Sequence, residues 1–157
     1  MPQITSNFLF NNQAGEAAEF YTRIFPNSKI TGQDFYGEES PLPAGTVLAS
    51  NFLLDGQEFT AINCGQTFEF NESLSFRVVC HGQKEVDYYW NALTEGGSEG
   101  QCGWLKDKFG VSWQVTSVEM GEYLGNSDPQ KAGRAMQAMM RMKKIDLAVF
   151  QAAIEAE

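Results

Sequence analysis

The sequence predicts an α+β protein made of two successive β-α-β-β-β modules, about residues 3–64 and 73–117, in one domain over 1–118, with a helical extension over 119–157. Three observations lead there. Strand-like and helix-like hydrophobic periods alternate along the chain. The order of elements then repeats: Glu16-Ala17-Ala18-Glu19-Phe20-Tyr21 aligns with Glu85-Val86-Asp87-Tyr88-Tyr89-Trp90 69 residues later, and Phe8 and Phe10 align with Phe76 and Val78 at a shift of 68. Finally, the charge changes sign where the second module has ended. Residues 1–130 carry 6 basic and 17 acidic groups, a net of −11, whereas 131–144 carry five basic groups and no acid.

Each element has its own reason. Residues 3–10 alternate, with Ile4, Ser6, Phe8 and Phe10 on one side and Thr5, Asn7 and Leu9 on the other, the period of a strand. Ala14, Ala17, Ala18, Tyr21, Ile24 and Phe25 then recur at helical spacing until Pro26-Asn27 breaks the run. Three strand-like runs follow at about 28–36, 46–54 and 57–63; Asp55-Gly56 joins the last two as a hairpin turn, and Pro41 and Pro43 mark an exposed loop. In the second module Leu74, Phe76, Val78 and Cys80 alternate as a strand, and Val86, Tyr89, Trp90 and Leu93 form a helical stripe that Gly96-Gly97 stops. Short strands are expected at about 98–106 and 111–116. In the extension Asp128 caps a helix with Pro129 at its first position and Ala132, Ala135, Met136, Met139 and Met140 as its apolar stripe; Asp146 caps another with Leu147, Phe150 and Ile154 inward.

Composition narrows the function classes. A chain of 157 residues with 43% hydrophobic and 13% aromatic side chains can close a core, and a net charge of −9 argues against general affinity for nucleic acid or anionic membranes. The basic segment from Lys131 to Lys144 is expected to dock on an acidic body, its own or a partner subunit's. The first residues have neither a basic nor a long apolar segment, and no apolar run approaches the ~20 residues of a membrane span. Cys64, Cys80 and Cys102 are odd in number and in no C-x-x-C pair, as expected of reduced thiols in the cytoplasm.

Phe20-Tyr21-Thr22-Arg23-Ile24-Phe25-Pro26, Leu54-Asp55-Gly56-Gln57-Glu58-Phe59 and the segment from Cys102-Gly103-Trp104 to Ser112-Trp113-Gln114 resemble the PhnB-like proteins of the vicinal-oxygen-chelate superfamily, the group of glyoxalase I and the bleomycin- and fosfomycin-resistance proteins. The likeness covers residues 3–117 and extends to the tail from Met136 to Asp146, as in a branch labelled 3-demethylubiquinone-9 3-methyltransferase-like. The resemblance implies a cupped eight-stranded mixed sheet around a cavity, in a homodimer. Metal-dependent members place His or Glu at four inward positions, which fall here on Thr5, on Ser73 or Ser75, on Gln114, and on Glu58 or Thr60. Hydroxyls, an amide and at most one carboxylate are a poor set for a transition metal, so no metal or other cofactor is expected. His81, just past a strand, reads as a surface residue.

What the cavity offers instead is polar. Thr5, Asn7, Ser75, Arg77, Glu58 and Gln114 are the candidate ligand-binding residues, with Trp104 and Cys102 near the closing strands. Arg77 is the one basic residue in the middle of a strand, where a guanidinium clamps a carboxylate or phosphate; the alternative is an ion pair with Glu58. Trp104 is placed to stack on an aromatic ligand, and Cys102 is either a reactive thiol at the mouth or an inert one. Gly96-Gly97-Ser98-Glu99-Gly100 follows a helix and not a strand, so it lacks the context of a glycine-rich turn for S-adenosylmethionine and leaves methyl transfer unsupported. The expected function is therefore metal-free binding of a small organic molecule, with no catalytic residue assigned. A metal-dependent lyase, dioxygenase or thiol transferase is the rival, and a purely structural protein the third reading.

Overall fold

In a computed structural model, which describes residues 2–156, the chain forms two compact units divided after Glu69. The first contains β1 (Ser6–Phe10), α1 (Ala14–Ile24), β2 (Lys29–Phe35), β3 (Val47–Leu54) and β4 (Gln57–Asn63). Its four-stranded sheet runs β1-β4-β3-β2, with β1 parallel to β4 and the other pairs antiparallel. Asp55 and Gly56 both take positive φ, 47° and 76°, the conformation of a two-residue hairpin turn whose twist matches the strands it joins. One face of the sheet presents Phe8, Phe10, Phe52, Leu54, Phe59 and Ala61, all buried, to Ala14, Ala17, Ala18, Tyr21 and Ile24 of α1. Phe59 stacks between Phe8 and Phe52, at centroid separations of 5.9 and 5.7 Å. Buried Asn63 ties the start of the helix to the sheet, accepting from the Ala14 N–H and donating to the Val47 carbonyl, both at 2.9 Å.

The second unit repeats the order with β5 (Phe76–Cys80), α2 (Gly82–Thr94), β6 (Ser98–Glu99), β7 (Trp104–Lys106) and β8 (Ser112–Ser117), then adds α3 (Val118–Leu124), α4 (Pro129–Met139) and α5 (Leu147–Glu155). Its sheet runs β5-β8-β7-β6, again with one parallel pair, β5 with β8. Val86, Trp90 and Leu93 of α2 are buried, as are Cys80, Leu105, Trp113 and Val115 of the sheet. Buried Asp107 ends this core by accepting from the N–H groups of Phe109 and Val111 and from Trp113 Nε1.

The structure refines the expected boundaries. The first strand of each module begins later than the alternation implies, so Thr5, Ser73 and Ser75 precede their strands. The run expected over 98–106 is two short antiparallel strands, because Gly100 to Gly103 reverse the chain. Gly97 sits so close to β7 that a Cβ there would lie 2.1 Å from the Lys106 carbonyl oxygen. The glycines after α2 thus permit a close backbone crossing.

The basic tail docks within the second unit. Lys144 pairs with Asp87 of α2 at 2.6 Å and Lys143 with Glu99 at 3.6 Å. Gln83 donates to the Ile145 carbonyl at 2.9 Å and accepts from the Leu147 N–H at 2.8 Å. Ala135, Met142, Ile145 and Phe150 are buried, while Met136 and Met140 of the expected apolar stripe are exposed. Asp128 and Asp146 cap α4 and α5 through their side chains, as their positions in the sequence predict.

Candidate functional site

Cross-strand partners point to the same side of a sheet, so register assigns faces. In the second unit the pairs Arg77–Gln114, Trp104–Gln114, Lys106–Ser112 and Ser98–Lys106 place these side chains together on the face opposite α2. Ser75 joins them, its hydroxyl accepting from Gln114 Nε2 at 2.8 Å. Four of the candidates, Ser75, Arg77, Trp104 and Gln114, thus belong to one surface. Arg77 is exposed on edge strand β5 and has no carboxylate partner among the described residues of its unit.

A cavity of about 610 Å³ lies at the other end of this surface, over β6, β7 and the start of β8. Trp104, Lys106, Ser98 and Ser112 contribute to its wall, together with Glu72 and the turn from Gly100 to Cys102. Arg77, Ser75 and Gln114 stand outside its lining. Two features give the cavity its chemistry. Lys106 Nζ is 2.7 Å from Glu72 Oε1, and this contact holds the Glu72 carboxyl below its ordinary pKa, chiefly by hydrogen bonding. The Ser112 side chain is 1% exposed, and its Oγ has no hydrogen-bond partner among the described residues. A buried hydroxyl without a partner is uncommon because it forgoes its hydrogen bonds to water.

The turn that rims the cavity is held by the tail. Cys102 and Gly103 take consecutive positive φ values of 58° and 84°, which turns both N–H groups toward residues after α4. Cys102 N–H donates to the Met142 carbonyl at 2.8 Å and Gly103 N–H to the Lys143 carbonyl at 2.7 Å. A side chain at Gly103 would collide with the Val115 carbonyl oxygen at 2.6 Å. The half-buried Cys102 thiol donates to the Met139 carbonyl, at 3.5 Å. Cys80, by contrast, is buried on the α2 face, and burial, reinforced by the Glu85 and Glu119 carboxylates, pushes its thiol up to about 12.

The remaining candidates belong to the first unit. Asn7 and Thr60 pair across β1 and β4. Asn7 Nδ2 turns back to the Thr5 carbonyl at 3.3 Å, Thr60 donates to Asn51 Oδ1 at 2.8 Å, and Glu58 accepts from Gln3 Nε2 at 2.9 Å. His81 is exposed at the N-cap of α2, where its backbone N–H donates to Glu85. Sequence reasoning missed Glu72, Lys106 and Ser112 of the cavity. The available signal was the register that pairs Ser112 with Lys106, since a small polar residue and a cation then share one face.

The residues at the metal positions of the resembled superfamily do not fit a divalent ion. In the second unit they are a hydroxyl and an amide already bonded to each other, Ser75 and Gln114. In the first they are hydroxyls and the exposed Glu58 carboxylate bound to Gln3. No group of three or more His, Cys, Asp or Glu side chains comes together among the described residues.

Residues 2–116 match the family model described as 3-demethylubiquinone-9 3-methyltransferase. No protein of curated function matches the sequence. Among solved structures, a PhnB protein from Bacillus cereus is 35% identical with a TM-score of 0.69, over 74% of this chain and all (100%) of that one. A Pseudomonas aeruginosa protein is 23% identical with a TM-score of 0.61, over 74% and 98% of the two chains. The fosfomycin resistance protein of Listeria monocytogenes, solved with Mn(II) and sulfate, is 12% identical with a TM-score of 0.54, over 79% and 95%, a likeness of fold.

Proposed function

The chain belongs to the 3-demethylubiquinone-9 3-methyltransferase family, PhnB-like proteins of the vicinal-oxygen-chelate superfamily, and from that premise we propose that it binds a small organic molecule in the second-unit cavity without a resident metal. The observation that carries the proposal is the 610 Å³ cavity itself, a volume within the usual range for small ligands, whose lining includes Ser112, a residue with a buried and unpartnered hydroxyl. The wall carries Glu72 and Glu99 beside Lys106, but Glu99 is paired with Lys143, so Lys106, once released from Glu72, and Arg77 further along the same face are the cations open to an anionic ligand. Metal independence rests on the donor chemistry of Thr5, Ser75, Gln114 and Glu58. The family description names a methyl transfer, but here Gly96 to Gly100 follow α2 and serve a backbone crossing, so no S-adenosylmethionine turn supports that activity.

A thermal-shift screen of organic anions with metal analysis of the purified protein tests the reading. A ligand at 100 times its Kd adds about 2.7 kcal/mol, or roughly 5–10 °C in Tm for a chain of this size. The expected result is such a shift with substoichiometric metal, reduced in Arg77→Met for ligands long enough to reach that strand. Near-stoichiometric Fe, Mn, Ni or Zn overturns the metal-free reading, and the absence of any shift overturns ligand binding.

A further inference from the structure

Resting on the ligand-binding reading above, we propose that the second-unit cavity takes a planar, aromatic or conjugated carboxylate. Its carboxylate sits between Lys106 and Ser112, and its flat body lies on Trp104. The first ground is that a carboxylate already occupies part of this arrangement. Glu72, from the turn before β5, places Oε1 2.7 Å from Lys106 Nζ inside the cavity wall. Both side chains are substantially exposed, 38% for Lys106 and 61% for Glu72. An ion pair at that exposure is weak, so a ligand carboxylate can displace Glu72 at little cost.

The second ground is the unpartnered Ser112 hydroxyl. Ser112 is directly across from Lys106 in the β7–β8 register, which puts the two Cβ atoms about 5 Å apart. A carboxylate has two oxygens, each with lone pairs to spare. One oxygen on Lys106 leaves the other free to accept from Ser112 once that side chain turns toward the cavity, since its Oγ is shut off from solvent here, and that supplies the hydrogen bond the buried hydroxyl lacks. Glu72 fills the first position and leaves the second open.

The third ground sets the shape of the rest of the ligand. Trp104 is two residues before Lys106 on the same strand and face, about 7 Å away along β7. It is half-buried, whereas Trp90 and Trp113 are buried in the core of the unit. An indole at that distance from the cation and the hydroxyl matches a ring one or two carbons removed from its carboxylate.

Binding of benzoate, phenylacetate and 3-phenylpropionate, with the matching primary amides as neutral controls, tests this by tryptophan fluorescence and calorimetry. The expected result is binding of at least one carboxylate and at least ~10-fold weaker binding of its amide. Lys106→Gln should weaken the carboxylate ~10- to 100-fold, and Ser112→Ala ~2- to 10-fold, the ranges for a charged and a neutral hydrogen bond. Glu72→Gln should tighten it, because the competing carboxylate is gone. Ser112→Ala also removes a hydroxyl with no partner, so its Tm without ligand should not fall, which separates lost binding from lost folding. Amides that bind as well as carboxylates overturn the carboxylate assignment and leave ligand binding standing. So does silence from all six compounds when other organic anions raise the Tm. Carboxylate binding untouched by Lys106→Gln and Ser112→Ala overturns the placement, and silence from every compound in both screens overturns both readings.

Discussion

Ile145→Ala probes the contact that ties the C-terminal extension to the cavity rim. Ile145 is fully buried, and a Cβ placed on Gly103 would come within 3.2 Å of its Cγ1, so the side chain lies directly against the turn that carries Cys102. Truncation to Ala removes three carbons, worth about 0.8 kcal/mol each in transfer, or about 2.4 kcal/mol. The space left behind adds a cavity cost, which puts the total at about 3–4 kcal/mol. For a chain of this length that is a fall in Tm of roughly 6–16 °C. Urea unfolding followed by circular dichroism measures it, with the slope unchanged if the same surface is exposed. Met140→Ala is the control, since Met140 is 63% exposed, and it should stay within about 0.5 kcal/mol. A loss below about 1 kcal/mol at Ile145 would refute the docking of the tail against this turn.

Three further outcomes follow from the second unit. Gly97→Ala would force a Cβ onto the Lys106 carbonyl oxygen, so soluble expression or Tm should collapse, while Gly133→Ala, where a Cβ meets open space in α4, should leave the Tm unchanged or raise it. Cys80 is held protonated to about 12, above the ordinary thiol value, so its contribution to stability is complete below about pH 8.5 and is lost as the pH rises from there toward 12. Accordingly, mass-resolved alkylation at pH 8 should spare Cys80 until the protein unfolds. Asp87 is held below its ordinary pKa, first by the hydrogen bond to Lys144 and then by Gln83, so its contribution is present above about pH 4 and is lost as the pH falls through the depressed value. The protection of α5 amides against exchange, corrected for the intrinsic pH dependence of the rate, should therefore fall on acidification below pH 4 and recover on return.

Much of the fold was legible because local chemistry decides it. Asp55-Gly56 predicts a hairpin since few residues tolerate two successive positive φ angles, and both angles are positive. Asp128 and Asp146 read as caps because their carboxylates can reach N–H groups two or three residues on, and each does. The reversal from Gly100 to Gly103 was not legible. Its N–H groups are answered by Trp104, Met142 and Lys143, and the last two are about forty residues distant in sequence. Helix α3 escaped for another reason: it is seven residues long, so its half-buried apolar set, Met120, Tyr123 and Leu124, spans little more than one turn, and the Ser117 cap is its other signal.

The candidate site divides along the same line. Alternation placed Ser75, Arg77 and Gln114 on one face, and the register agrees. Alternation cannot show where along that face the surface closes into a cavity. Apart from Glu72 and the turn after β6, the lining is on β6, β7 and the start of β8, whereas the mid-strand cation Arg77 is on the opposite edge at β5. In sequence, Ser112 is an ordinary serine in a strand. Its meaning depends on being buried with nothing to bond, a property of the packing around it.

The most direct test of the central claim, that the second-unit cavity binds a small molecule, is a backbone amide NMR titration with 3-phenylpropionate. Saturable shifts are expected, concentrated at residues 98–106 and 112–114 and absent with the matching amide at the same concentration. Shifts confined to other segments would contradict that claim, whereas equal shifts with the amide would overturn only the carboxylate assignment.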